Sequence, residues 1–288
     1  MILEYGSMVS KQIRVVDCVF ERNYRQGMSV ISVEDLHVER SVFQNTNGTP
    51  PMAGVDLEPD LPSHQLTNVR FLNNIYTGNS GEGFSTCLNA LNGSSKPVSI
   101  TFSGATVSNN SVQEDSAGFY GSCVGASYFR PGLQGFVVYE HVDVQHCPTA
   151  GIRIEQKTEG GPLLTLRNIS LSNVSYADRR YPDPAPGPDH FHVSPVMMVS
   201  QLLPVVNGFV GGFPTVGGIQ FDDMSIEDDF PRPWLFVWTT DGVVPQWNSI
   251  RSSPAGVVLT NPKGGCWVEH NRTNVTSLLP FAAKCSTR

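Results

Sequence analysis

The chain has 288 residues, enough for one or two domains, and only 16% of them are charged, whereas glycine and proline are frequent. Its net charge of −7 comes without a basic run or an Arg/Lys stripe, which argues against nucleic acid as a partner. No apolar run reaches the roughly 18 residues that a membrane span needs. The nearest run, residues 193–210, is broken by prolines. We therefore expect no nucleic-acid partner and no membrane span.

A short phrase of alternating apolar residues, closed by a small or polar turn that usually ends in Asn or Asp, recurs along the chain. Its copies are Val15–Asn23, Leu36–Asn45, Val69–Asn79, Ile100–Asn110, Val137–Cys147, Leu164–Val174 and Ile219–Asp229. Their spacing of about 20 to 55 residues, mostly near 30, is typical of stacked repeat architectures. Because the alternation has period two and favours Val, Ile and Phe, each copy is predicted to form strands and not helices.

A second phrase follows the turn in five repeats: a glycine, a large apolar residue and then a polar one. The apolar residues after the glycine are Met28, Val55, Phe84, Phe119 and Ile152. The polar residues after those are Ser29, Asp56, Ser85, Tyr120 and Arg153. Since successive side chains of a strand point to opposite faces, we expect the apolar set to stack inside the coils and the polar set to form a ladder on the outer wall.

Residues 18–32 (CVFERNYRQGMSVIS) and 53–60 (AGVDLEPD), with the coil pattern over about residues 10–230, resemble the right-handed parallel β-helix superfamily, the pectin-lyase-like proteins. The resemblance implies an all-β fold, a right-handed parallel β-helix solenoid of about seven coils, and a secreted or cell-surface location. We expect the solenoid to occupy residues 1–235 and residues 236–288 to form a C-terminal cap. This superfamily includes lyases, hydrolases, epimerases and inert fibres, so the fold does not fix a reaction.

Three carboxylates, Asp56, Glu58 and Asp60, alternate on one predicted strand, where residues two apart are separated by roughly 6.5–7 Å. Asp56 and Glu58 are candidate catalytic acid and base residues, because inverting glycosidases hold two carboxyl groups roughly 6.5–9.5 Å apart. The same three residues are candidate calcium ligands, and calcium is the one cofactor that the sequence suggests. The alternative is a solvated acidic rung that Pro59 ends.

Arg153, Glu155 and Lys157 occupy the equivalent wall three coils later. The family resemblance makes Arg153 a third catalytic candidate and gives Arg153 or Lys157 the cationic role of a lyase, because β-helix lyases commonly use Arg or Lys with Ca²⁺. The alternative is an exposed Arg153–Glu155 ion pair of little energetic value. At about 4.8 Å per coil, Asp56 and Arg153 lie roughly 14–15 Å apart, which suits a groove for several sugars. The substrate-binding candidates are Arg25, Asp60, Tyr120, Glu155 and Lys157.

The six cysteines show no CxxC spacing, and their even number suits an oxidising compartment. We predict a Cys87–Cys123 disulfide between neighbouring coils and a Cys266–Cys285 disulfide in the C-terminal segment. For Cys18 and Cys147 the sequence leaves two alternatives, a disulfide-bonded cysteine or a free buried thiol.

Seven N-x-Ser/Thr sequons, more than chance would give, predict a glycosylated secretory protein, although Asn, Ser and Thr are also favoured in turns. The sequon asparagines are Asn47, Asn92, Asn109, Asn168, Asn173, Asn271 and Asn274. Residues 1–10 lack the cationic start and apolar core of a signal sequence, and the first coil begins abruptly at Ile13. We therefore expect a fragment or a mature piece of a longer protein.

The leading hypothesis is a secreted carbohydrate-binding protein, a polysaccharide hydrolase or lyase that acts along an outer groove. The alternative is a non-catalytic extracellular structural or adhesive glycoprotein. In that case the end strands of the solenoid would stack onto another copy of the chain. The expected partner is accordingly a polysaccharide or other glycan, or a second copy.

Overall fold

The computed structural model describes residues 2–3, 8–111, 122–176, 194–200, 213–240, 242–253, 256–260, 266–271, 273–279 and 283–286; for residues 2, 3, 285 and 286 it describes the backbone alone. Within these residues the structure is nearly all β, with two short 3-10 turns, Trp247–Ser249 and Thr276–Leu278, and no α-helix.

The strands in chain order are β1 (Ile2–Leu3), β2 (Ser10–Val16), β3 (Val19–Glu21), β4 (Gln26–Val30), β5 (Val33–Glu39), β6 (Val42–Gln44), β7 (Ala53–Leu57), β8 (Leu66–Leu72), β9 (Ile75–Thr77), β10 (Phe84–Cys87), β11 (Val98–Ser103), β12 (Thr106–Ser108), β13 (Ser122–Phe129), β14 (Gly135–Cys147), β15 (Ala150–Lys157), β16 (Leu163–Val174), β17 (Val196–Ser200), β18 (Thr215–Val216), β19 (Ile219–Glu227), β20 (Leu235–Thr239), β21 (Val244–Pro245), β22 (Ile250–Ser252), β23 (Val257–Thr260), β24 (Val268–His270), β25 (Thr273–Asn274) and β26 (Lys284–Ser286).

Two long sheets contain nearly all of these strands. A ten-stranded sheet runs in the order β1-β4-β7-β10-β13-β15-β17-β20-β24-β25, and it is parallel except for its last pair. A fourteen-stranded sheet contains the strands of the alternating phrase, such as β5, β8, β11, β14, β16 and β19. From β1 to β16, each strand of the ten-stranded sheet is followed along the chain by one or two strands of the fourteen-stranded sheet, and strands pair in parallel with their counterparts in the next repeat. This arrangement is compatible with an all-β solenoid.

The inward stack confirms most of the sequence alignment. Met28, Val55, Phe84 and Ile152 lie on one register line and are at most 1% exposed. Phe119, predicted as the fourth member, lies outside the described residues, and Val124 takes that place opposite Phe84 and Ile152. The register of the fourth repeat therefore falls five residues later in the chain than the sequence alignment put it.

Aromatic rings stack on one another within this core. The ring of Phe84 stacks on Phe102 with centroids 4.1 Å apart, and Tyr139 meets it edge-on at 5.1 Å. In a neighbouring column, Phe20, Phe43 and Tyr76 stack at 4.7 and 5.3 Å. These contacts tie successive repeats together through side chains as well as through the backbone.

The asparagines that close the repeat phrase have a structural task. The Asn79 amide accepts a hydrogen bond from the Thr46 N–H (3.1 Å) and donates one to the Phe43 carbonyl (3.1 Å). Asn110 repeats the pattern one coil later, with the Asn79 N–H (3.0 Å) and the Tyr76 carbonyl (2.9 Å). Both side chains are fully buried. They satisfy backbone groups that the turn leaves without a ladder partner, which explains why the phrase ends in Asn.

The cysteine prediction was wrong for the neighbouring coils. Cys123 is bonded to Cys147, and Cys87 is free, as is Cys18. The cause is the shifted register of the fourth repeat. Cys87 lies opposite Ser127 on the neighbouring strand, four residues after Cys123 in the chain, so the two cysteines are not adjacent. Cys266 is disulfide-bonded. The Cys285 side chain lies outside the described residues, so the Cys266–Cys285 bridge stays a prediction.

Strands beyond residue 235 continue both sheets. β20 and β24 extend the ten-stranded sheet, and β22, β23 and β26 extend the fourteen-stranded one. The proposed division into residues 1–235 and 236–288 stays a prediction. Across the part of the chain that the structure describes, no helix has the length and apolar character needed to cross a membrane.

Candidate functional site

The outer face of the ten-stranded sheet carries the polar ladder that the sequence predicts. Its register runs Ser29, Asp56, Ser85, Gly125 and Arg153 on β4, β7, β10, β13 and β15. These residues alternate with the inward stack, so their side chains leave the core on the other face. Asp56 and Arg153 thus share one ladder, with two residues between them. We call this surface the acidic wall, defined by Asp56, Glu58, Glu82, Arg153 and Glu155.

Asp56 is a buried carboxyl group on this wall, with only 3% of the residue exposed. Burial raises its pKa well above the ordinary value, and the negative charges of Glu58 and Glu82 raise it further. A hydrogen bond with the half-buried Glu58 adds to the same effect. These effects together favour the protonated form of the Asp56 carboxyl group over its carboxylate.

The contact between Asp56 and Glu58 differs from the predicted spacing. Strand geometry separates their backbones by roughly 6.5–7 Å, but their side chains are close enough to form a hydrogen bond. This hydrogen bond requires a proton on one of the two groups, because two carboxylates can only accept hydrogen bonds and repel each other. The pair is therefore a hydrogen-bonded dyad, with its carboxyl groups closer together than the roughly 6.5–9.5 Å that an inverting glycosidase uses.

Glu82 is the wall residue that sequence reasoning missed. It is half-buried, and burial raises its pKa, although hydrogen bonds with Ser85 and Ser122 lower it in part. The Ser122 hydroxyl lies 2.8 Å from one carboxylate oxygen. That carboxylate lies directly over Gly125, where an added Cβ would come within 2.5 Å of both oxygen atoms. The missing side chain of Gly125 is what makes room for the acid.

A cleft of about 120 Å³ opens beside Glu82 and is lined also by Ser85, Ser127, Arg153 and Glu155. The Arg153 guanidinium donates a hydrogen bond to Glu155, as the ion-pair alternative predicted. Only 10% of the Arg153 side chain is exposed, so this pair is more shielded from water than an ordinary surface ion pair. The cleft therefore has acidic groups on two sides and a guanidinium that already has an acidic partner.

Lys157 is not on the wall, contrary to the prediction. Gln156 adopts a left-handed conformation (φ 48°), which breaks the alternation of β15 and turns Lys157 into the core beside Phe129. Its ammonium donates to the carbonyls of Thr158 (2.6 Å) and Gly217 (3.0 Å). Burial lowers its pKa to about 7. Lys157 is thus not available to bind a substrate.

The other substrate-binding candidates lie at the edge of the wall or beyond it. Arg25 is exposed, yet its positive charge acts on Asp56 and lowers the pKa of that carboxyl in part. Asp60 is exposed, and its backbone N–H donates to His64 Nδ1 at 3.1 Å. Tyr120 lies outside the described residues, and its predicted place on the ladder belongs to Gly125.

A metal centre gains no support from the geometry. Among the residues that the structure describes, no three His, Cys, Asp or Glu side chains are grouped so that they could hold a metal ion. Asp56 and Glu58 already contact each other, and Asp60 is exposed to solvent.

Cys87, near the dyad, is a half-buried thiol whose pKa burial raises to about 12, so it stays protonated at neutral pH.

Three of the seven predicted glycosylation sites lie on or beside the sheet that does not carry the acidic wall. Six of the seven sequon asparagines are exposed, and Asn92 is half-buried. Asn168 and Asn173 are in β16 and Asn109 directly follows β12, all on the fourteen-stranded sheet. Glycans at these three positions would leave the wall of the ten-stranded sheet open.

A second cleft, of about 420 Å³, lies between the ends of β16 and β19. Its most buried cation, Arg232, contacts both carboxylate oxygens of Asp228 and donates to the carbonyls of Val174 (2.9 Å) and Ser175 (2.8 Å). These bonds commit the guanidinium to holding the turn together. The acidic wall is therefore the better candidate site.

Comparison with known proteins adds no relative from which a function could be transferred. No known protein family matches the chain, and no curated protein is similar to it. The residues of the acidic wall are therefore the basis for assigning a function.

Proposed function

We propose that the chain is a right-handed parallel β-helix of about seven coils, similar to the pectin-lyase-like proteins, and that it is secreted. The parallel pairing of each strand with its counterpart in the next repeat supports the solenoid. The Cys123–Cys147 disulfide supports an oxidising compartment. The exposed sequon asparagines support passage through a glycosylating pathway.

On this scaffold the protein binds a glycan along the acidic wall and hydrolyses it. The observation that carries this proposal is the buried Asp56 carboxyl group, which contacts Glu58 and whose pKa burial raises well above the ordinary value. A general acid needs a proton at working pH, and burial beside a like charge is how enzymes provide it. The Asp56–Glu58 dyad gives one proton to the glycosidic oxygen, and the water that attacks the anomeric carbon returns one proton to the dyad. One water is consumed, one glycosidic bond is broken, and the dyad ends with the number of protons it began with.

Hydrolysis is favoured over elimination by the state of the basic residues. A lyase needs a cation to neutralise the uronate carboxylate next to the proton it removes. Lys157 is buried in the core, and the Arg153 guanidinium is paired with Glu155. The wall offers acids for protonating a leaving group more readily than cations for stabilising a carboxylate.

The test is a panel of polysaccharides assayed for new reducing ends and for unsaturated products, each with and without Ca²⁺. Reducing ends without ultraviolet-absorbing unsaturated ends are the expected result. Unsaturated products would replace the hydrolase with a lyase. Binding without any product would reduce the proposal to a carbohydrate-binding protein.

A non-catalytic extracellular glycoprotein is the second candidate, and the number of exposed sequons favours it. Intact-mass measurement before and after glycosidase treatment and reduction tests the secreted state that both candidates require. A mass equal to that of the bare chain with six free thiols would remove both candidates. A glycosylated protein that binds no polysaccharide and assembles end to end would favour this second one.

A further inference from the structure

We propose that the cleft over Gly125 selects uncharged glycans over uronate-containing ones, with Glu82 as the residue that sets this specificity. The inference rests on the proposed glycan-binding function and names the substrate class of the same wall. It departs from the lyase hypothesis, in which a uronate would be the substrate.

Glu82 is placed in the path of a ligand on the wall. The repeat pattern leaves the ladder without a side chain at Gly125, and the Glu82 carboxyl group occupies that space. The Ser122 hydroxyl at 2.8 Å fixes one oxygen of this carboxyl group. Glu82 is thus held at the cleft between Asp56 and Arg153, where a sugar lying along the ladder would meet it.

The charge of the surrounding wall disfavours an anionic ligand. The wall and its edge carry four carboxyl groups and two guanidinium groups, those of Asp56, Glu58, Glu82, Glu155, Arg25 and Arg153. Arg153 is shielded and bonded to Glu155, and Arg25 is exposed to solvent. A uronate placed here would add a negative charge beside Asp56 and Glu82, whose pKa values are raised by burial and by the charges of neighbouring acids. Desolvated like charges repel strongly, so such a ligand is disfavoured.

The cleft offers hydrogen-bond acceptors to an uncharged sugar. Carboxyl oxygens accept hydrogen bonds from sugar hydroxyls, and the Ser85 and Ser127 side chains line the same cleft. The cleft of about 120 Å³ holds part of one ring, equivalent to about four waters at roughly 30 Å³ each. An uncharged ring with hydroxyl groups meets these acceptors without adding a charge.

The experiment measures affinities by calorimetry for neutral gluco- and xylo-oligosaccharides and for oligogalacturonate of matched length. The wild-type protein is expected to bind a neutral oligosaccharide at least tenfold more tightly than the uronate. Glu82→Gln should lower this ratio at least tenfold, because a like-charge contact of a few Å exceeds the 1.4 kcal/mol that a factor of about ten represents. The matched control is Glu21→Gln, which removes one charge from an exposed position on β3 of the other sheet and should leave the ratio unchanged.

A second variant tests the geometry. Gly125→Ala places a methyl group where the Glu82 carboxylate lies and should weaken binding of the neutral oligosaccharide at least tenfold. Thermal unfolding of Gly125→Ala shows whether this variant folds. If it does not fold, the Glu82→Gln measurement alone tests the role of Glu82 in specificity.

The outcomes separate this inference from the proposed function. Tighter binding of oligogalacturonate than of the neutral ligands by the wild-type protein would overturn the inference and leave the glycan-binding function standing. An unchanged ratio in Glu82→Gln would overturn the role of Glu82. No binding of any oligosaccharide would overturn both proposals.

Discussion

Replacing Asp56 with asparagine is expected to remove the hydrolytic activity and, at neutral pH, to make the folded protein more stable. The substitution keeps the size of the side chain and its ability to hydrogen-bond with Glu58. It removes the ionisable group that burial and two neighbouring acids make costly to ionise. Substitution of a catalytic acid in a buried site can lower activity and raise stability together, whereas substitution of a residue selected for fold stability alone would not raise stability.

The size and sign of the stability effect follow from linkage. The unfolded chain releases the Asp56 proton near pH 3.9, whereas the folded protein keeps it to a higher pH. The contribution of Asp56 to stability is thus fully present below about pH 3.9 and is lost as pH rises towards the folded pKa. Over that window the free energy of unfolding falls by up to about 1.4 kcal/mol per pH unit for one group. The asparagine side chain does not ionise, so the variant gains on the wild type by the same amount.

The assay combines turnover with urea unfolding between pH 3 and pH 8. Turnover should fall at least about a hundredfold, the lower range for loss of general acid–base catalysis. The matched control is Glu21→Gln, which removes an exposed carboxylate on β3 of the other sheet and should change neither quantity appreciably. The difference in stability between the variant and the wild type should be larger at pH 7 than at pH 3.5. An equal difference at the two pH values would refute the raised pKa of the buried Asp56. Retained turnover would move the acid elsewhere on the wall.

Three further predictions concern the core. Phe84→Ala should lower the free energy of unfolding by about 3–5 kcal/mol in urea titration, whereas Phe136→Ala, 44% exposed, should cost under about 0.5 kcal/mol. Replacing both Cys123 and Cys147 with alanine should lower the free energy of unfolding by roughly 3.5 kcal/mol, since their disulfide joins residues 24 apart in the chain. An equal midpoint of urea unfolding for the oxidised and the reduced wild type would contradict this. The free energy of unfolding of the wild type should rise between about pH 7 and 10, because the unfolded lysine keeps a proton that the folded one has lost. Lys157→Met should abolish this rise. Parallel pH profiles of stability for the wild type and the variant would show that the amine is not buried.

The sequence predicted the strands and most of the inward stack because both depend on local periodicity. An apolar residue after a glycine, repeated at a near-constant interval, placed Met28, Val55 and Phe84 on one line. It also placed Asp56 and Arg153 on one outer ladder. Each of these positions follows from the alternation of a strand and the regular length of a repeat.

The failures arose where the chain departs from that regularity. At Gln156 a left-handed backbone reverses the alternation and carries Lys157 inward, and glutamine gives no local signal for such a conformation. Glu82 was missed because the repeat pattern concerns the residues after the glycine, whereas Glu82 precedes Gly83 at the corner of the coil. The available signal was a lone acid between two glycines, Gly81 and Gly83.

The register of the fourth repeat links the fold to the proposed chemistry. Aligned on the glycine at 118, this repeat would place Tyr120 between Asp56 and Arg153, and the wall would read as an aromatic platform. In the observed register Gly125 stands there, and the Glu82 carboxyl group fills the gap that it leaves. A ring at that position would favour stacking on a sugar face, whereas a half-buried acid favours hydrogen bonds to its hydroxyls and disfavours a charged sugar. A shift of five residues in one coil therefore changes the expected ligand from any pyranose to an uncharged one.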